Sequence, residues 1–148
     1  MVIFLVLLGI ITDSTRVVQV QKRLLYLLGG WAGGSVGVGT YQVIRSGTLG
    51  RYIGIQNLAW GAVDGAIAGY GLYSLHRSLR AGAPRDWSAE KQRLRRILLI
   101  NTFLDMGYLA AGAYLITRRD IRWRGTGWGI VIQGGFLLLL DSMHALSL

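Results

Sequence analysis

Four long apolar stretches alternate with short polar segments along the chain. They cover residues 24–44, 52–75, 97–117 and 126–147, and each has about the 20 residues that a helix needs to cross roughly 30 Å of hydrocarbon. A soluble chain of 148 residues would have too little polar sequence to cover four such helices. The pattern predicts an all-α fold: a four-helix transmembrane bundle that forms a single integral membrane domain over residues 1–148.

The segments outside the spans carry local signals of their own. Residues 1–23 include an apolar run at 2–11 that is too short to cross a membrane and lacks the features of a signal peptide. We expect an interfacial or packed segment, or else a fifth, partial crossing, with Asp13 or Ser14 capping the helix that follows. Between the second and third spans, Gly82 and Pro84 are expected to end one helix, and Ser88 to cap the next.

Glycine contributes 22 residues, and many of them fall at helical spacing. One row is Gly29, Gly33 and Gly37, and a second row is Gly61, Gly65 and Gly69. Rows of small residues let transmembrane helices approach closely, so we expect close helix crossings there. A flexible loop at 29–39 is the alternative, but no water would satisfy its backbone at that depth.

The net charge is +9, and all 16 Lys and Arg lie outside the four predicted spans. This position is typical of basic residues that anchor helices at lipid headgroups, so the expected partner is the lipid bilayer and not nucleic acid. Ten Lys and Arg lie on the side of the termini, against six on the other side. The imbalance predicts a multi-pass protein of the inner (plasma) membrane with both termini in the cytoplasm.

Three carboxylates, Asp64, Asp105 and Asp141, lie within the predicted spans, which contain no Lys or Arg. An ionised carboxylate at mid-bilayer costs about 2.5–3.5 kcal/mol on insertion scales. Each must therefore be protonated, paired, or in contact with water or a cation. At 1.5 Å per residue they lie about 9 Å (Asp141), 12 Å (Asp105) and 16 Å (Asp64) from the cytoplasmic span ends, which predicts a ladder of acids.

Helical spacing places other polar residues beside these acids. The predicted stripes are Asn57, Trp60 and Asp64 on the second helix, Asn101, Asp105, Tyr108 and Gly112 on the third, Gln133, Asp141 and His144 on the fourth, and Ser35 with Gln42 on the first. We expect the stripes to face inward, with Asn101 and His144 at the mouth of the ladder and Tyr108 deeper. A structural network that only fixes helix packing is the alternative, and we favour it for Asn57, Trp60 and Gln133.

Three hypotheses about function follow from these residues. The first is cation or proton handling by the carboxylates, and the second is a structural or accessory subunit that docks partner helices, or further copies of itself, through Gly-rich faces. The third is an intramembrane hydrolase with Asp64 and Asp105 as an aspartyl pair. Asp141 and His144 fit either a metal-ligand pair or a solvated helix end. No motif for a soluble enzyme or a cofactor is present, and the absence of Cys excludes thiolate sites and disulfides.

Several of these motifs together resemble a known family. They are Trp60 with Asp64, the run from Asn101 to Tyr108 with Gly112, and the run from Gly127 to Phe136 followed by Asp141 and His144. Over about residues 20–146 the chain is similar to an uncharacterised family of small bacterial four-span membrane proteins, classed as a domain of unknown function. The resemblance implies the four-span architecture and no activity.

Overall fold

A computed structural model describes residues 2–82 and 86–148, with side chains from residue 14 onward. This part of the chain contains four helices and no strand. The helices are α1 (Val2–Arg45), α2 (Thr48–Arg80), α3 (Trp87–Ile116) and α4 (Ile121–Ser147). The predicted all-helical class is confirmed. Each expected span lies within one helix, apart from residue 117, which follows the end of α3, and every helix begins 4 to 22 residues before the span that it contains.

All four helices exceed the thickness of a bilayer core. At 1.5 Å per residue they measure about 66, 50, 45 and 40 Å, against about 30 Å of hydrocarbon. By length and composition together, two helices of the described chain, Trp87–Ile116 and Ile121–Ser147, are apolar enough to cross a membrane. In α2 the hydropathy is lowered by Gly and Tyr, which are frequent between residues 52 and 75.

The start of α1 differs from the prediction. The helix begins at Val2 and continues without a break to Arg45, so the expected helix start at Asp13 or Ser14 is wrong. No Gly or Pro lies between Gly9 and Gly29, and nothing in that stretch interrupts the backbone ladder. Within this stretch Val17 is fully buried, and Arg16 Nε donates to Ser147 O at 2.9 Å. The side chains of the apolar run at 2–11 lie outside the described residues.

The connections are short and have defined caps. After α2 ends, Gly82 adopts φ +61°, a left-handed conformation that suits glycine, as expected for the end of this helix. Pro84 lies outside the described residues. The cap of α3 is Asp86, whose Oδ1 accepts from the backbone N–H groups of Ser88 and Ala89. The prediction of Ser88 as the cap is therefore wrong, because its own N–H is one of the groups being capped.

Glycines make the closest helix crossings. α1 packs on α2, α2 on α4, and α4 on α3. A Cβ on Gly61 would lie 3.0 Å from Ala32 O in α1, and a Cβ on Gly112 would lie 3.0 Å from Gly127 O in α4. The second predicted row therefore forms part of the α1–α2 crossing. In the first row, a Cβ on Gly33 would have no neighbour within 4 Å, so this position faces open space.

Polar groups occupy the interior while large apolar groups cover the surface. Among the side chains that the structure describes, seven polar or charged ones are buried, nearly as many as the eight buried hydrophobic ones. The exposed side chains of this part of the chain include 27 large hydrophobic ones, such as Phe103 at 72% and Leu146 at 83% exposure. The predicted inward orientation of the polar stripes is observed for Ser35, Asn57, Asp64, Asp105, Gln133, Asp141 and His144. This distribution is the opposite of the one that water selects.

Candidate functional site

A hydrogen-bonded network of neutral side chains joins α1, α2 and α4. Gln133 Nε2 donates to Asn57 Oδ1 at 2.8 Å and to Ser35 Oγ at 3.1 Å, and its Oε1 accepts from Trp31 Nε1 at 2.6 Å. Asn57 Nδ2 in turn donates to Gln42 Oε1 at 2.8 Å. Gln133 is 1% exposed and Asn57 5% exposed. These two amides and Ser35 are buried, whereas Trp31 and Gln42 are partly buried. The buried polar groups are bonded to one another or to these side chains, as a packing network requires.

A separate cavity of about 280 Å³ lies among all four helices. Polar side chains from three of the helices line this cavity: Asp64 from α2, Asn101 and Asp105 from α3, and Asp141 from α4. The remaining wall is apolar or aromatic and is formed by Leu24, Leu25, Leu28, Trp60, Val63, Ile67, Leu94, Ile97, Leu98, Leu104, Tyr108, Leu137 and Leu140. No Lys or Arg is among the lining residues. We call this space the acidic cavity.

The three aspartates have different surroundings within the acidic cavity. Asp64 is 2% and Asp105 is 4% exposed, and the Oδ2 atom of each has no hydrogen-bond partner among the described residues. Asp141 is 7% exposed, and the side chain of Asn101 lies close enough to interact with its carboxyl group. Asp64 lies within electrostatic reach of Asp105, and Asp105 within reach of Asp141. Two buried carboxyl oxygens are therefore free to bind a proton or a cation.

The acidic cavity opens between α2 and α3. Within the described chain, no Cα atom of α2 lies within 8 Å of a Cα atom of α3. The exposed lining residues all belong to these two helices, and they are Val63, Ile67, Ile97, Leu104 and Tyr108. The rings of Trp60 and Tyr108 meet edge to face at 5.3 Å and 80°, and so bridge the gap. The opening is apolar and the carboxyl groups lie behind it.

Most of the predicted site residues thus line one space. Asp64, Asp105, Asp141, Asn101 and Tyr108 all line the acidic cavity, although Tyr108 is 42% exposed and lies at the opening. Trp60, expected in the structural network with Asn57 and Gln133, lies outside that network and lines the cavity instead.

His144 lies elsewhere, although it is buried. It lines a different depression together with Arg16 and Arg23 of α1. Its Nδ1 is 2.7 Å from Leu140 O, and its Nε2 has no partner among the described residues. His144 is therefore not at the mouth of the acidic cavity, where the sequence analysis expected it.

The geometry also bears on metal binding and on hydrolysis. Among the described residues, no group of three or more His, Asp or Glu side chains is arranged to hold a metal ion. The Oδ2 atoms of Asp64 and Asp105 are not bonded to each other, so no shared-proton pair forms through them. The three carboxyl groups can bind a proton or a single positive charge. Full coordination of a hard metal ion would need more oxygen ligands than they provide.

Comparison with known families gives one result. A family model described as a family of unknown function (DUF6992) matches residues 27–142. The chain belongs to this family. The matched segment includes all three aspartates and the Gln133 network, and it ends before His144. Neither a curated protein nor a solved structure matches the chain.

Trp31 is the main residue that the sequence analysis missed. It lies in the middle of the first predicted span, whereas Trp usually lies at the ends of spans. Its ring stacks on Phe136 at 4.0 Å and 7°, and its N–H is bonded to Gln133. A buried indole N–H needs an acceptor, so a mid-span Trp was a usable signal for a polar partner on another helix.

Proposed function

We propose that this protein is a four-span integral membrane protein of the bacterial plasma membrane that handles protons or other cations through Asp64, Asp105 and Asp141. The observation that carries the proposal is the convergence of three acids on one cavity that no Lys or Arg lines. A polar residue that is costly to bury and has no packing partner is expected to serve a function.

Support for the membrane environment comes from the surface of the bundle. The exposed side chains of α3 between residues 97 and 106 are Ile97, Leu99, Ile100, Phe103, Leu104 and Met106. In water this surface would be a large apolar patch, which a soluble protein rarely exposes. Exposed aromatic side chains occur near the ends of the predicted spans, including Tyr26, Tyr41, Tyr73 and Tyr114, as in proteins with aromatic belts.

The roles proposed for the aspartates follow from their partners. Asp64 and Asp105, each with an unpartnered oxygen, bind the ion or proton. Asp141, close to Asn101, lies within electrostatic reach of Asp105 and extends the acidic surface of the cavity. His144 has no part in this proposal, because it faces a different depression.

Flux measurements in proteoliposomes test the proposal. Purified protein is reconstituted with a pH-sensitive dye inside the vesicles, and proton, Na⁺ and K⁺ gradients are applied in turn. We expect flux of at least one ion in the wild type and its loss in Asp64→Asn and Asp105→Asn. Asp86→Asn and Asp120→Asn are matched controls, because both residues cap helices outside the cavity and Asn caps as well as Asp does. Unchanged flux in the two cavity variants would reject the assignment.

A second candidate function is that of an accessory subunit that docks another membrane helix. The observation that favours it is the face of α1 formed by Gly30, Gly33, Gly34 and Gly37, where an added Cβ would meet nothing within 4 Å. Close approach of a partner helix would use such a face. Native mass spectrometry from mild detergent distinguishes a second copy of the chain from another subunit, and a clean monomer argues against this role.

A further inference from the structure

The acidic cavity has an acidic surface and an apolar surface, and a single inorganic ion would bind only to the acidic one. Its charged end is formed by Asp64, Asp105 and Asp141, while its walls are almost entirely aliphatic or aromatic. Hard metal ions require about six or more oxygen ligands, and no such group exists among the described residues. A volume of about 280 Å³ is also far more than a bare ion needs.

From this combination we propose that the ligand of the acidic cavity is a small lipophilic organic cation, such as an aryl-substituted ammonium ion, which enters from the lipid between α2 and α3. The inference rests on the proposed cation-handling function and specifies the class of cation. The positive group would lie against Asp64 and Asp105, whose Oδ2 atoms are buried and unpartnered. The apolar part of the ligand would contact the leucines of α1 and α4.

Aromatic side chains at the opening favour the same class of ligand. Trp60 lines the cavity one helical turn before Asp64, and Tyr108 lines it about one turn after Asp105. Ammonium groups are attracted to the faces of such rings when they lie within about 6 Å of the ring centre. A cation passing from the opening to the carboxylates would therefore contact aromatic rings first and acids second.

The route follows from which lining residues are exposed. Val63 is 49%, Ile67 is 53% and Leu104 is 57% exposed, and all three border the gap between α2 and α3. Among the described residues, the backbones of α2 and α3 do not approach within 8 Å, measured between Cα atoms. In a bilayer the acyl chains would lie directly outside it, and a lipophilic cation is concentrated there. Small ligands commonly bind in concave, mainly apolar sites with a few polar groups that fix their orientation, as in this cavity.

Binding of benzyltrimethylammonium to the detergent-solubilised protein, followed by isothermal titration calorimetry, tests the proposal. The probe has a fixed positive charge, and neopentylbenzene is its neutral isostere. We expect saturable binding of the cation and at least about 10-fold weaker binding in Asp64→Asn and in Asp105→Asn, because each removes a buried charge partner. Asp86→Asn and Asp120→Asn should bind as the wild type does. Circular dichroism verifies folding, and if one cavity variant fails to fold, the other carries the test.

The route is tested by filling the opening. Leu104→Trp should slow association of the probe by about 5-fold or more, whereas Phe103→Trp, a neighbouring exposed residue that does not line the cavity, should leave the rate unchanged. Equal rates in the two variants would overturn lateral entry.

The outcomes separate this inference from the proposed function. Ion flux that depends on Asp64 and Asp105, with no saturable binding of the probe to the wild type, would overturn the inference and leave the proposed function intact. Equal binding of benzyltrimethylammonium and neopentylbenzene would also overturn it, because charge would then play no part. Charge-selective binding that needs both acids supports the inference even if no proton, Na⁺ or K⁺ flux is found, and in that case the flux proposal fails.

Discussion

Gln133 on α4 and Asn57 on α2 are joined directly, with Gln133 Nε2 2.8 Å from Asn57 Oδ1. Both side chains continue the chain of bonds to α1, Gln133 through Trp31 and Ser35 and Asn57 through Gln42. Three helices are thus fixed in register by amides whose partners are all within the protein. The aspartates of the acidic cavity differ, because two of them have an oxygen without a hydrogen-bond partner in the part of the chain that the structure describes. This contrast separates residues that hold the bundle together from residues that are available for a ligand.

Loss of the central amide should destabilise the bundle. Gln133→Leu removes three hydrogen bonds of about 0.6 kcal/mol each and leaves two of the partners, Ser35 and Asn57, buried, so we expect the free energy of unfolding to fall by about 2 kcal/mol or more. Gln42→Leu is the control, since it removes one bond of the network. The free energies of unfolding of the two variants are measured by unfolding in mixed micelles containing SDS, followed by circular dichroism. An equal loss of stability in the two variants would contradict the central role of Gln133.

Removal of an unpartnered acid should have the opposite consequence for stability. Asp105→Leu removes a buried carboxyl whose Oδ2 atom has no hydrogen-bond partner, and replaces it with an apolar group of similar size. We expect the free energy of unfolding to be unchanged or higher, while ion flux and probe binding are lost. The same unfolding assay tests this. A loss as large as that of Gln133→Leu would indicate that Asp105 is a packing residue and not a ligand-binding one.

The α3–α4 crossing should depend on the absence of a side chain at Gly127. A Cβ there would lie 2.7 Å from Gly112 O and 2.8 Å from Ile116 N, and these are backbone atoms that have little freedom to move away. We expect Gly127→Ala to lower the free energy of unfolding by about 1–3 kcal/mol. Gly135→Ala on the same helix meets nothing within 4 Å and should be neutral or stabilising by up to about 1 kcal/mol. Similar unfolding curves for the two variants would contradict the close crossing.

Single cysteines can establish the number and direction of the spans, because the chain has no native Cys. Thr48→Cys and Thr117→Cys lie at one end of the bundle, and Ser88→Cys lies at the other. If four helices cross the membrane with cytoplasmic termini, a membrane-impermeant maleimide added outside intact cells should label the first two and not the third. Labelling of all three from outside, or of none until the cells are lysed, would reject this topology.

The candidate site shows how much of a binding site can be predicted from residue spacing alone. Spacing alone placed Asp64, Asp105, Asp141, Asn101 and Tyr108 on helix faces that line the same cavity. It placed His144 with them because residues three apart share a helix face, yet His144 points to α1 instead. The part of the α4 surface that contains Asp141 and His144 is wide enough for its two edges to face different neighbouring helices. Helix periodicity defines a face, but the crossing of the helices decides which neighbour that face meets.

The amino-acid sequence by itself determined the number of helices, their order and the inward direction of their polar stripes, because these depend on local propensity and on the 3.6-residue period. It also determined that acids without basic partners would be buried. Only the tertiary structure decided that Gln133 bonds to Asn57 and Trp31, that Trp60 faces the acids, and that the gap lies between α2 and α3. Those pairings depend on the register and crossing of helices that are far apart in the chain, and close approach at glycines sets both.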